Sequence, residues 1–160
     1  MRTLVIYYSR TGTTRKAARA LADMLGADTA EIRCERYGVG GLGYIRAAYD
    51  SVRGTRPAIV IPTAVDSNYD LVVIAAPLWT TYPAVPARSF LADRKPFPGR
   101  VALLLTHLGS PPDKAFAMME AHLGRPAEGK LALRQTDIKS ESASAALQAF
   151  TEDLKHKRAA

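Results

Sequence analysis

A single cysteine, Cys34, excludes an internal disulfide, so a reducing compartment is the expected setting. No apolar run approaches the roughly 20 residues of a membrane-spanning helix. The opening MRTLVIYYSR has too short an apolar part, and no small-residue cleavage site, for a secretory signal. These absences predict a cytoplasmic protein without a transmembrane segment. No His, Cys or carboxylate spacing suggests a metal site. G-x-x-x-x-G-K-[ST] is missing, which excludes an ATP or GTP phosphate loop of that kind. There is no internal repeat, and 160 residues suit one domain, 1–160, rather than two with full cores.

What is present is an ordinary globular composition, 48% hydrophobic and 23% charged. The formal net charge is +7, which raises the question of nucleic acid. The Lys and Arg residues are scattered among acids, without the basic run and interleaved aromatics of a nucleic-acid surface. The densest stretch, Lys155-His156-Lys157-Arg158, reads as a solvated helix end that complements the negative end of the dipole. No nucleic-acid partner is expected. Positive charge does attract anionic small molecules such as nucleotides.

Strand and helix patterns alternate along the chain. Residues 2–8 are an apolar, β-branched and aromatic run of strand length. A helix capped by Thr13 or Thr14 follows to Leu25, and Gly26 ends it. Residues 29–34 read as a second strand that ends on Cys34, a packed thiol. Residues 70–76 are, after Asp70, an apolar run, as in a strand covered on both faces, with Pro77 as its stop. A helix over 84–93 and a strand over 100–106 come next. Ser110-Pro-Pro-Asp113 supplies an N-cap, a first-turn proline and a carboxylate for a helix to Leu123. A strand over 130–137 precedes a last helix with Ala143, Leu147, Phe150 and Leu154 as its apolar stripe. The alternation predicts a parallel sheet wrapped on both faces. Between the second and third strands, Gly38-Val-Gly-Gly-Leu-Gly43 leads into a covering helix striped by Leu42, Ile45, Tyr49 and Val52. The glycines satisfy G-x-G-x-x-G, yet they follow the second strand at a distance instead of the first at a tight turn, so the dinucleotide reading is weak.

The first strand runs directly into Ser9-Arg10-Thr11-Gly12-Thr13-Thr14, where a helix begins. A helix N-terminus leaves backbone N–H groups unpaired and carries partial positive charge. Hydroxyls at 9, 11, 13 and 14 can donate to phosphate oxygens, and Gly12 lets the backbone approach a ligand closely. Capping alone needs one hydroxyl. This segment resembles the [ST]-x-T-G-x-T phosphate loop of the flavodoxin family, and the resemblance covers nearly the whole chain in order, least specifically over 35–69. It implies an α/β fold with a doubly wound five-stranded parallel sheet in the order 2-1-3-4-5, helices on both faces, and FMN as cofactor. By the same resemblance, Pro77-Leu78-Trp79-Thr80-Thr81-Tyr82 and Thr106-His107-Leu108-Gly109 are the two further flavin loops.

Trp79 is then placed to stack on the flavin ring or to anchor its loop, and Tyr82 has the same two readings. His107 is the candidate catalytic residue, as a cation near reduced flavin or a proton donor, or else it only hydrogen-bonds its loop. Many flavodoxins carry a glycine after the aromatic residue, where this chain has Thr80. A β-branched residue driven to positive φ costs about 1–2 kcal/mol, roughly 40–90 mV against the one-electron-reduced flavin. The basic balance is also opposite in sign to the acidic surfaces of carrier flavodoxins. The resemblance therefore implies an FMN-dependent NAD(P)H reductase of quinones or similar small acceptors. An electron carrier with an acidic redox partner protein and a flavin-free binding module are the alternatives, and a relative of the flavodoxin-fold protoporphyrinogen oxidases is conceivable. Arg33, Arg36, Arg46, Arg53 and Arg56 can attract a nucleotide phosphate or simply face solvent.

Overall fold

The computed structural model describes residues 1–61, 68–93 and 97–157. Arg158 of the basic tail lies outside them. Strand β1 (Thr3–Tyr7) leads into α1 (Thr13–Leu25), β2 (Asp28–Glu31), α2 (Gly41–Arg53) and β3 (Leu71–Trp79). After β3 come β4 (Tyr82–Pro83), α3 (Val85–Asp93), β5 (Arg100–His107) and α4 (Asp113–Leu123). The chain closes with β6 (Gly129–Arg134), the short α5 (Gln135–Lys139) and α6 (Ser144–His156). The order β2-β1-β3-β5-β6 is parallel throughout, and β4 forms a two-residue hairpin on the end of β3. Leaving that hairpin out of the numbering gives the expected 2-1-3-4-5.

Alternation along the strands divides the interior into two cores. Leu4, Ile6, Ile74, Leu103 and Leu105 face α3 and α4, whose Phe90, Leu91, Phe116 and Met119 cover them. Val5, Tyr7, Val73 and Leu104 face the other way, under Leu21 and Leu25 of α1 and Leu147, Phe150 and Leu154 of α6. Each fully buried Leu or Ile contributes about 1.5–3 kcal/mol. The expected stripe of α6 is thus the one that packs.

Several boundaries differ from the sequence reading, each for a local reason. β3 does not stop at Pro77. The Ala75 carbonyl accepts from Tyr8 N–H on the β1 side and the Pro77 carbonyl from Ala84 N–H. In a parallel strand, alternate residues address the same side, so the missing N–H of Pro77 points where β1 has already ended and removes no bond to β5. β2 ends at Glu31, three residues before Cys34, because Arg33 swings away to exchange backbone bonds with Val60. β6 ends at Arg134, which pairs with the last residue of β5, and 135–139 coil into α5 instead of extending the strand. Ser110 does not cap α4, which starts three residues later with Pro112 in the cap position; Ser110 and Pro111 each precede a proline and are thereby pushed out of the helical region. Neither Thr13 nor Thr14 caps α1. Gly12 takes that position at φ 97°, with no side chain bonded over the helix end.

The largest difference concerns α2. The helix forms where expected, but the stripe of Leu42, Ile45, Tyr49 and Val52 is exposed, and Ala47, Asp50 and Ser51 are the buried residues. At about 100° per residue the two sets lie on opposite sides of the helix. Polar anchoring decides which side faces in. The Asp50 carboxylate accepts from Arg36 Nε (2.6 Å), Tyr37 Oη (2.9 Å) and Thr55 Oγ1 (3.1 Å). Ser51 Oγ donates to the Trp79 carbonyl at 3.0 Å, and Arg88 donates to the Ser51 carbonyl at 2.9 Å. The glycine cluster serves this helix start. A Cβ on Gly43 would meet the Gly38 carbonyl oxygen at 2.1 Å, so close backbone approach, not a pyrophosphate, accounts for glycine there.

Candidate FMN site

Beyond the carboxyl ends of β1, β3 and β5 lies a cleft of about 300 Å³, at the topological switch point where open α/β sheets bind ligands. Its wall includes Arg10, Thr11, Thr13 and Thr14 from the first loop, Pro77, Leu78, Trp79 and Thr80 from the second, and Thr106, His107 and Leu108 from the third. Three separate predicted segments are thereby brought together. Ser9, Gly12, Thr81, Tyr82 and Gly109 are adjacent in sequence but do not line the cleft.

The first loop is built as an open anion cradle. The first intrahelical bond of α1 runs from Lys16 N–H to the Gly12 carbonyl, so the amides of Thr13, Thr14 and Arg15 have no partner within the helix. Ser9 Oγ accepts from Gly12 N–H at 3.1 Å and keeps its own proton for donation. Gln135 Nε2 donates to Thr13 Oγ1 at 3.0 Å, which likewise leaves the Thr13 proton available. Thr14 and Thr106 hydroxyls bond at 2.8 Å, tying the loop to β5. Among the described lining residues Arg10 carries the fixed charge and no carboxylate is present, a balance that favours an anion.

The second loop is held from behind. Trp79 is 9% exposed, edge-on to Tyr8 (5.6 Å, 83°) and to Tyr37 (4.8 Å, 74°). It both lines the cleft and anchors its loop. Burial, more than any other cause, pushes the Tyr8 and Tyr37 phenols far above their ordinary range, so both are neutral packing partners. Tyr82 points elsewhere. Its hydroxyl accepts from Lys114 Nζ at 3.0 Å, and that bond holds the phenol below its ordinary range. Thr80 already sits at φ 61°. The cost of a β-branched residue in that region is part of this backbone, so it is not a penalty added on one-electron reduction, and that sequence argument is corrected.

His107 half-lines the cleft with its Nδ1 buried and without a partner. In the unliganded chain burial first, and the Arg134 guanidinium second, lower its pKa from 6.5, which favours the neutral ring there. Nothing bonds this Nδ1 to the loop either. An orphaned buried nitrogen beside an uncapped helix start is the kind of donor set that a flavin with a phosphate tail satisfies. Cys34 donates weakly to the Ala58 carbonyl, and burial raises its pKa, as suits a packed thiol. Of the five arginines between 33 and 56, Arg36 is bound to Asp50 and Arg53 lies over Tyr49, so those two are structural.

Ser110, which closes the third loop, also lines the cleft, as do Tyr44, Ala47, Ala48 and Gln135, these four unforeseen from the sequence. Tyr44 and the two alanines come from α2, whose docking no local pattern specifies. Gln135 falls in a stretch that reads as strand.

The flavodoxin family model matches residues 2–121. The chain belongs to the flavodoxin family. As a member it is an FMN-binding flavoprotein. A flavoprotein in complex with FMN from Lactobacillus acidophilus is similar over 88% of this chain and 98% of its own, at 25% identity and a TM-score of 0.72. A flavodoxin from the domain Archaea shares the fold at 15% identity, with 98% and 100% coverage and a TM-score of 0.57. So does a flavodoxin, WrbA-like protein from Agrobacterium tumefaciens, at 14% identity, 97% and 98% coverage and a TM-score of 0.53. No curated protein matches the chain. Among the described residues no helix is long and apolar enough to cross a membrane, and no group of His, Cys, Asp and Glu can hold a metal.

Proposed function

We propose that this flavodoxin-family protein is a cytoplasmic FMN-dependent reductase that takes electrons from NAD(P)H and passes them to quinones or similar small acceptors. The observation that carries the reading is charge. A cleft lined by Arg10 and no carboxylate, on a chain of formal net charge +7, suits an anionic nucleotide donor. Bound FMN supplies a ring that accepts the hydride of NAD(P)H and returns two electrons, which with two protons convert a quinone to a hydroquinone. The chain's own contribution is placement. Thr13 and Thr14 amides with the Thr11 and Thr13 hydroxyls would hold the phosphate, each charge–dipole contact contributing about 0.3–1 kcal/mol. Trp79 and Leu78 supply an apolar wall, and His107 offers a neutral nitrogen to a polar ring atom.

Purified protein titrated with FMN should quench the free coenzyme's fluorescence, and Gly12→Val, at a φ of 97° already present in the unliganded chain, should lower fold stability by about 1–2 kcal/mol of backbone strain. Under anaerobic conditions NADH or NADPH should then bleach the flavin, and a quinone should restore the colour. A loaded protein that oxidises NAD(P)H slowly, yet accepts electrons quickly from an acidic-surfaced reductase, would replace this reading with the carrier one. A protein that stays colourless would favour the binding module.

A further inference from the structure

The outward face of α2 has no partner among the described residues, and its side chains are not scattered. Leu42 (87% exposed), Ile45 (66%), Tyr49 (58%) and Val52 (65%) follow one another at intervals of three, four and three residues. That is the a/d spacing of a helix–helix seam, which presents one narrow apolar stripe to a second helix of the same pitch. Val39, 84% exposed just ahead of the helix, extends the patch at its N-terminal end, whereas Tyr44 turns toward the cleft. At roughly 100–140 Å² each, these five side chains amount to about 500–700 Å², at or above the upper end of what monomers usually leave bare and approaching the ~800 Å² that each partner brings to a standard interface.

We propose that α2 is the interface of a homodimer, two copies packing α2 against α2 about a two-fold axis. A seam of this spacing requires a helix with matching spacing, and the second copy supplies one by symmetry. The charges agree with an apolar, not an ionic, contact. Exposed Arg46 and Arg53 flank the stripe, Arg53 lying 5.2 Å over the Tyr49 ring, while the one carboxylate of the helix, Asp50, is turned inward. Arginines then form the rim, and salt should strengthen the pairing by screening their repulsion. The seam does not depend on what the cleft holds, so this inference and the flavin reading stand or fall separately.

Sedimentation velocity of the apoprotein at tens of micromolar should give twice the 17.3 kDa of one chain. Ile45→Glu should weaken dimerisation by about 100-fold or more, because each interface would bury two unpaired carboxylates. Leu42→Glu should act in the same direction. Both side chains are exposed in one copy, so circular dichroism should show the fold retained. Raising salt should preserve or tighten the dimer. A monomer at all concentrations, a dimer indifferent to both substitutions, or an association that dissolves as salt rises would overturn the proposal, the last pointing to an ionic contact elsewhere.

Discussion

At the end of β5 the His107 ring lies between the sheet and the cleft, with one nitrogen unpartnered. Its lowered pKa means that the folded state binds the proton less readily than the unfolded chain. The stability linked to neutral His107 is therefore complete above the ordinary histidine range, and is lost as pH falls from 6.5 through the folded value. Nuclear magnetic resonance of the apoprotein should show this imidazole titrating below 6.5. Arg134→Gln should move the midpoint up without restoring the ordinary value, because burial is the larger cause. A midpoint at or above 6.5 would favour the cationic reading of His107. Thr80 belongs to the same scale. Its left-handed backbone is occupied before any electron arrives, and its hydroxyl joins Ser51 in bonding the Trp79 carbonyl.

Among the elements, α2 shows local pattern and tertiary packing in opposition. An apolar stripe normally turns toward the core, yet here a carboxylate and two small residues face in. Bonds to Arg36 first, then Tyr37 and Thr55, hold the Asp50 carboxyl below its usual range. The folded pKa is depressed, so its contribution is present above the ordinary carboxylate range and lost as pH falls through the folded value. Asp50→Asn should cost about 1–3 kcal/mol by weakening bonds to buried partners. It should also flatten the acid limb of the stability profile, measured as denaturant midpoints between pH 3 and 7 (about the carboxylate range and above). Because Tyr37 packs on Trp79, the same variant should shift the tryptophan emission of the apoprotein.

For the whole molecule, net charge and topology act together. The switch point gathers three loops distant in sequence, on a chain of formal net charge +7. If anionic NADPH is the donor, its second-order rate of flavin reduction should fall several-fold between ~10 mM and ~0.3 M salt, as screening shortens the field. A rate indifferent to salt would remove steering from the account.

The alternation of strands and helices, the two-faced sheet and the hydroxyl-rich turn that opens α1 were legible in the sequence, because each rests on local features: apolar runs of strand length, Gly26 after a helical stripe, and four hydroxyls around Gly12. Not legible were the continuation of β3 past Pro77, the inward face of α2, and the arrival of Tyr44 and Gln135 at the cleft. Each of these depends on a neighbour far away in the chain, whether a β1 that has already ended, an Arg36 and Tyr37 that claim Asp50, or a Thr13 that meets Gln135. Local propensity sees a residue's own turn or strand, and only the folded chain decides which distant groups are there to satisfy it.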